Sequence, residues 1–402
     1  MFDMAEFLRM TNPIQHYAWG SRSVLAGMQG RSAPTEEPEA ELWMGAHASA
    51  PSRVTLDGVQ RGLDEVAPDL PFLLKILAIA APLSIQVHPS EEQAREGFAR
   101  ENAAGVARDS AHRNYKDERA KPETVVALSP MWLLAGQQDR ADLKRLSREL
   151  NLPWLADAAA SECPVQYALE LADDAAAAAV RACVTAVDTT PATSPRGEDA
   201  DKPRLSAEAD PVERATHLIR LLTHHYPGDR GLLVALCMNM VHLAPGQALF
   251  TPDRQVHAYL SGTAVEIMGC SDNVLRAGLT AKHVDVPELL RVMATAQQPV
   301  SVLEPREAED GMVRYTLWDP ALSLAAVRVS PQRPVTRELA GVCMVLVTEG
   351  DVEVSARSAG DADAEGARAT SGESLICLET PSTVTLSGDG RVFLVEAVTP
   401  AR

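Results

Sequence analysis

The sequence predicts a mainly β protein with an α-helical insertion: a first jelly-roll lobe, a helical segment set into it, and a second jelly-roll-like β lobe. Three observations predict it. Short apolar runs broken by turn residues fill the first 136 positions and resume after Leu232. Residues 137–231 between them are rich in alanine and other helix formers. From about Arg314 the chain is again almost wholly β, in runs such as MVLVTEGDVEVSA and STVTLSGDGRVFLVEAV. The expected division is 1–136 with 232–313 as one discontinuous domain, 137–231 as the insertion and 314–402 as the C-terminal lobe.

Taken in order, the first part carries one clear helix, from Ser90 to about Asn102. Ser90 is its N-cap and acids fill its first turn. The insertion holds DRADLKRLSREL, the alanine-rich QYALELADDAAAAAVRACVTAV, and PVERATHLIRLLTHHY with Pro211 in its first turn. Residues 189–210 are Pro/Ser/Ala/charge-rich without periodicity and read as a flexible loop. After Leu232 strands are separated by the turns APGQ, TPDRQ and LSGT. A short helix is expected in AKHVDVPELLRVMA.

Composition excludes several function classes. The 402 residues carry 37 Lys+Arg against 55 Asp+Glu, a formal net charge of -18, which argues against a nucleic-acid binder. A few local Lys and Arg residues still suffice to hold one small phosphate. The most apolar stretch, Pro71 to Val87, is interrupted by Lys75, Pro82, Ser84 and Gln86, so no membrane span is expected. Asp3 and Glu6 stand where a signal peptide carries positive charge. The six cysteines are scattered without a CxxC pair, which points to reduced thiols and a cytoplasmic location.

Chemistry-bearing residues fall in three strings. LSIQVHPS alternates, so Ser84, Gln86 and His88 share one strand face. That row reads either as a surface strand or as the lining of a barrel cavity. In AKPETVVAL, Lys121 and Glu123 share a face, and Pro122 needs a strand start or edge. Glu123 is a solvated strand end or a ligand. In RQVHAYLSGTAVEIMG, His257 and Tyr259 share a face and Glu266 lies in a following strand, with Arg276 and Lys282 in or beside glycine-containing loops downstream. Taken together, Gln86, His88, Glu123 and His257 offer two imidazoles, a carboxylate and an amide oxygen. Such a set suits Zn²⁺, and its donor types also permit Mn²⁺, Co²⁺ or Fe²⁺.

The strings NPIQHYAWGS, ELWMGAH, FLLKIL, LSIQVHP, NYKD…KPE and VHAYLSG…SDNVLRAGLT occur in order from Asn12 to Thr280. In this they resemble the type I phosphomannose isomerases. The resemblance implies a cupin (jelly-roll) catalytic domain and one zinc per chain held by Gln86, His88, Glu123 and His257. It implies interconversion of mannose 6-phosphate and fructose 6-phosphate through a cis-enediolate. Arg276, in NVLRAG, would stabilise the enediolate, and Lys121, Glu266, Lys282, Tyr259 and Asp272 stand as further catalytic candidates. Ser84, Lys75, Trp19 and His47 are candidates for substrate binding. A monomer acting on a sugar phosphate, without nucleic acid or membrane, is expected. The alternative is a non-catalytic sugar-phosphate-binding cupin, against which intact Arg276, Lys121 and Glu266 argue. An iron cupin of oxidative chemistry fits less well, because Gln86 departs from a His-rich facial set. Many family members have His immediately before KPE; this chain has Ala120. With every metal-ligand position intact, that histidine is read as dispensable.

Overall fold

The structure is a computed structural model that describes residues 6–188, 205–339, 341–357, 365–378 and 383–398. Two large antiparallel sheet systems form it. The first has eleven strands and carries the chemistry-bearing strings: Glu41–Met44, Phe72–Ile79, Ile85–Val87, Glu123–Ala127, Met131–Gln137, His257–Gly269 and Leu275–Gly278 lie in it. The second has ten strands and is built mainly from the C-terminal segment, whose longest members are Gly341–Arg357 and Thr383–Val398.

The N-terminal strands divide between the two systems. Leu8–Thr11 pairs with Ser374–Cys377 on one side and Arg53–Leu56 on the other, with Leu8 opposite Ile376 and Met10 opposite Val54. Part of the expected first domain thus pairs in the sheet of the C-terminal lobe and covers what would be an open edge. The two sheets share one core. Leu42, Phe72, Ile76 and Val265 pack in the same cluster as Met344, Leu346, Phe393 and Val395. The C-terminal lobe therefore buries the apolar back of the site-bearing strands, while their other face is left for chemistry.

Among the described residues the helical segment contains six helices, from Arg140–Glu149 to Gly231–Leu236. The return to strands comes at Met238, because the apolar run GLLVAL is a buried helix and not a strand. A short apolar run does not distinguish the two. The alanine-rich stretch is two helices, Pro164–Glu170 and Asp173–Asp188. Leu171 is extended between them, and Arg230 Nη2 donates to the carbonyls of Leu169 and Leu171 at 2.8 Å each. Of the expected loop 189–210, residues 189–204 lie outside the described residues. Ala207 and Ala209 are tied down, since their carbonyls accept from Arg214 at 2.8 Å each. Ser90 caps Glu91–Ala103 with a full capping box to Gln93.

LSGT is not a turn. His257–Gly269 runs as one 13-residue strand. The register shifts between Tyr259 and Ser261, and Gly262 takes φ +120° where a Cβ would come within 2.9 Å of the Met131 backbone. The strand bends there as a bulge and passes from one set of partners to the next. His257 and Glu266 consequently belong to the same strand.

A second close approach ties the insertion to the site. Gly278 has φ +140°, and a Cβ on it would lie 2.4 Å from Gly231 Cα. Asp229 reinforces the contact, accepting from the Gly231 and Thr280 amides. Gly278→Ala is expected to cost roughly 1–3 kcal/mol by overpacking and an unfavourable φ. Urea unfolding checks this, and an unchanged midpoint would mean that the backbones do not meet.

Candidate active site

Two cross-strand rows build the site. In one, Trp43 lies opposite Lys75 and Lys75 opposite Glu266. In the other, Arg276 lies opposite Gln86 and Gln86 opposite His257. Residues directly opposite on antiparallel strands bring their side chains together, so four strings distant in sequence meet in one place. Above them opens a cleft of about 780 Å³ whose lining includes Trp19, His47, Lys75, Ser84, Gln86, Lys121, Asp272, Arg276 and Lys282. A small recess of about 60 Å³ contains Glu123, His257, Tyr259 and Glu266 together with Lys75, Ser84, Gln86 and Lys121. All the expected site residues but His88 line one or the other; His88, 1% exposed, sits against Glu123.

His88, Glu123 and His257 make the one group of three or more metal-capable His, Cys, Asp or Glu residues among the described residues. Glu123 Oε1 is 3.3 Å from His88 Nε2, and Glu123 Oε2 is 3.2 Å from His257 Nε2. The Nδ1 atoms lie 2.7 Å from the Asn273 carbonyl and 3.0 Å from the Gln255 carbonyl. A carbonyl only accepts, so each ring donates through Nδ1 and turns Nε2, the nitrogen able to offer a lone pair, toward Glu123. Burial, helped by nearby Lys121, pushes the His88 pKa down to about 4 and keeps that ring neutral. Burial alone would raise Glu123, but the Lys121 ammonium, 2.7 Å from Oε1, outweighs it and holds the carboxyl well below its usual range.

The three side chains thus turn acceptors toward one another. His88 Nε2 and Glu123 Oε2 are buried with no hydrogen-bond partner among the described residues. Unpaired buried acceptors are costly unless a cation lies among them, and this donor set fits a divalent metal. Gln86, beside His257 in register, donates through Nε2 to Ser84 Oγ at 3.1 Å, which leaves its carbonyl oxygen as the atom suited to a metal.

A second cluster borders the first. Lys75 Nζ is 3.2 Å from Glu41 and 3.6 Å from Glu266, and lies over the Trp43 ring. Burial opposes its charge, but the two carboxylates raise its pKa above the usual value and hold it protonated. Glu266 also accepts from Tyr259 Oη at 2.8 Å, and its pKa is raised by burial and by Glu123. Elsewhere in the cleft lining, among the described residues, no carboxylate pairs with Arg276 or Lys282. Burial lowers both pKa values, with Arg276 adding to the shift of Lys282. His47 Nε2 is 3.4 Å from Asp272, and Trp19 stacks on Tyr17.

Glu41, Trp43, Tyr17, Arg108, Lys116 and Tyr226 also line the cleft and were not singled out by sequence reasoning. Glu41 and Trp43 had a signal, an acid and an indole two apart in an apolar strand. Tyr226 had none, since the insertion carries it in.

The phosphomannose isomerase type I catalytic-domain family model matches residues 7–139. A mannose-6-phosphate isomerase of Salmonella typhimurium is 36% identical over 73% of this chain and 76% of its own length. One from Escherichia coli is 32% identical over 96% of this chain and 98% of its own. This chain belongs to the type I phosphomannose isomerases. Among solved structures, a phosphomannose isomerase variant from Salmonella typhimurium superposes with TM-score 0.82 at 29% identity, covering 98% of this chain and 100% of that one. A zinc-bound mannose 6-phosphate isomerase gives TM-score 0.81 at the same identity and coverage. The mainly β architecture with antiparallel sheets is therefore that of the phosphomannose isomerase family. Among the described residues no helix is long and apolar enough to cross a membrane.

Proposed function

We propose that the chain is a zinc-dependent aldose–ketose isomerase interconverting mannose 6-phosphate and fructose 6-phosphate. The observation that carries this is the His88 and Glu123 acceptors, orphaned among the described residues, beside a cleft whose Arg276 and Lys282 have no acidic partner among those residues. Gln86, His88, Glu123 and His257 would hold the zinc, which when bound supplies a template and Lewis acidity for sugar oxygens.

The reaction moves a proton between carbons 2 and 1 through a cis-enediolate. Its charge needs donors already in place. Arg276, cross-strand neighbour of Gln86, offers a forked guanidinium to two adjacent oxygens. Glu266, the carboxyl with raised proton affinity, carries the proton, with Tyr259 and Lys75 fixing its orientation. Lys121 holds the charge of Glu123 and faces the substrate, while Ser84 and Lys282 take the phosphate. Lys75 is already balanced by two carboxylates, so it meets sugar hydroxyls. Asp272, His47 and Trp19 shape the rim.

The reading keeps the discontinuous first domain, the insertion and the C-terminal lobe as the working division. It takes one chain as the working unit, since one chain supplies every residue named. It places the reaction in the cytoplasm, where six free cysteines stay reduced, and gives an acidic chain no nucleic-acid partner. Zinc-loaded protein is expected to equilibrate the two sugar phosphates, and a chelator to stop it. Binding of mannose 6-phosphate by zinc-loaded protein without turnover would make it a non-catalytic binder.

Metal analysis is expected to give one zinc per chain. No histidine follows His283, so a second stoichiometric zinc with ligands beyond Arg314 would contradict the assignment of a structural role to the C-terminal lobe.

A further inference from the structure

Asn273 is fully buried between two of the strings that build the site. Its Oδ1 accepts from the amides of Lys116 at 2.7 Å and Asp117 at 3.2 Å. Its Nδ2 donates to the carbonyls of Asp117 and Arg119 at 2.9 Å each, and to Asp117 Oδ1 at 3.2 Å. Both ends of one amide are thereby spent on a single loop, Lys116–Arg119, which runs directly into Lys121 and Glu123. Asp117 answers from the other side, accepting from Ser271 Oγ at 2.9 Å and the Asp272 amide at 2.9 Å. Meanwhile the Asn273 carbonyl accepts from Nδ1 of His88 at 2.7 Å. Three residues on, the same chain supplies Arg276.

We infer that Asn273 is a positioning residue that sets the affinity of the site for its metal, by locking the Lys116–Glu123 segment against the stretch before Leu275–Gly278 whose Asn273 carbonyl orients His88. This rests on the zinc-isomerase reading. The reasoning is geometric. His88 follows the strand Ile85–Val87 and Glu123 opens the strand Glu123–Ala127; these two do not pair with each other, and they meet His257–Gly269 at distant points, Gln86 at His257 and Glu123 at Met268. Asn273 makes the direct connection: its backbone orients one ligand and its side chain anchors the approach to the other. Groups that orient ligands typically govern affinity by about 10–100-fold. Only a carboxamide offers a donor and an acceptor side by side at this position, so aspartate, its near isostere, would set negative charge against two carbonyls and the Asp117 carboxylate.

The test uses the full chain. Zinc affinity is measured by competition with a chromophoric chelator, alongside kcat and KM at saturating zinc and thermal unfolding, for Asn273→Asp, Asn273→Ser and Val354→Ala. Val354 is buried in the core of the C-terminal lobe and reports lost stability alone. Both Asn273 variants are expected to bind zinc about 10–100-fold more weakly and to lose kcat more than KM. Val354→Ala should lower the unfolding temperature with zinc affinity unchanged. Zinc affinity within about twofold of the parent in the Asn273 variants, or an equal loss in Val354→Ala, overturns the inference. If Asn273→Asp does not fold, Asn273→Ser decides, because it removes the amide without adding charge. A parent chain that binds zinc without isomerising sinks the functional reading while the affinity comparison still judges Asn273.

Discussion

His257→Ala is expected to lose zinc and isomerase activity together, with the fold intact. His257 starts the strand His257–Gly269, opposite Gln86 and Ala135, and those backbone pairings do not depend on its ring. Its imidazole Nε2 faces Glu123, and its Nδ1 is oriented by the Gln255 carbonyl. Alanine removes one lone pair of the proposed ligand set and leaves Glu123 buried with His88 and Lys121. Loss of a ligand should exceed the change of about 10–100-fold typical of groups that only orient ligands. Metal analysis after dialysis, with circular dichroism as the check on folding, decides it. Full zinc occupancy in the variant would remove His257 from the ligand set.

The local chemistry of this site was legible in the sequence where a strand face announces itself. Alternation in LSIQVHPS separates Ile85 and Val87, both fully buried, from Ser84 and Gln86 in the cleft lining. Pro122 correctly marks a strand start, since Glu123 opens the strand Glu123–Ala127. Meeting is a different matter. That Gln86 lies opposite both His257 and Arg276 is a property of long-range pairing, which no local pattern encodes; the resemblance to a family supplied it. The same limit explains Glu41. Its strand is short and wholly buried, and only the register that sets Trp43 opposite Lys75 shows that Lys75 has two carboxylate neighbours. LSGT misled because glycine after serine signals a turn, whereas Gly262 here accommodates a close backbone crossing inside a continuous strand.

Arg276→Lys is expected to retain substrate binding and to lose turnover strongly, while Ala120→His changes turnover little. Arg276 stands on the short strand Leu275–Gly278, fixed on one side by Gln86 and on the other by the Gly278–Gly231 approach. Burial lowers its pKa, and a guanidinium starts high enough to stay charged. Lysine keeps the positive charge but gives a point donor where two adjacent oxygens develop charge. Loss of a transition-state donor of this kind costs roughly 2.7–4 kcal/mol, about 10²–10³ in kcat. Ala120 lines neither the cleft nor its recess, and the metal-ligand set is complete without a histidine there, which is why little change is expected. Steady-state kinetics in the aldose-to-ketose direction, with zinc occupancy matched between variants, separates the two. Near-normal kcat in Arg276→Lys would take the guanidinium out of the transition state and leave it a phosphate anchor. A large gain in Ala120→His would mean that the missing histidine carries a proton in relatives that have it, and that Glu266 does that work here at a cost in rate.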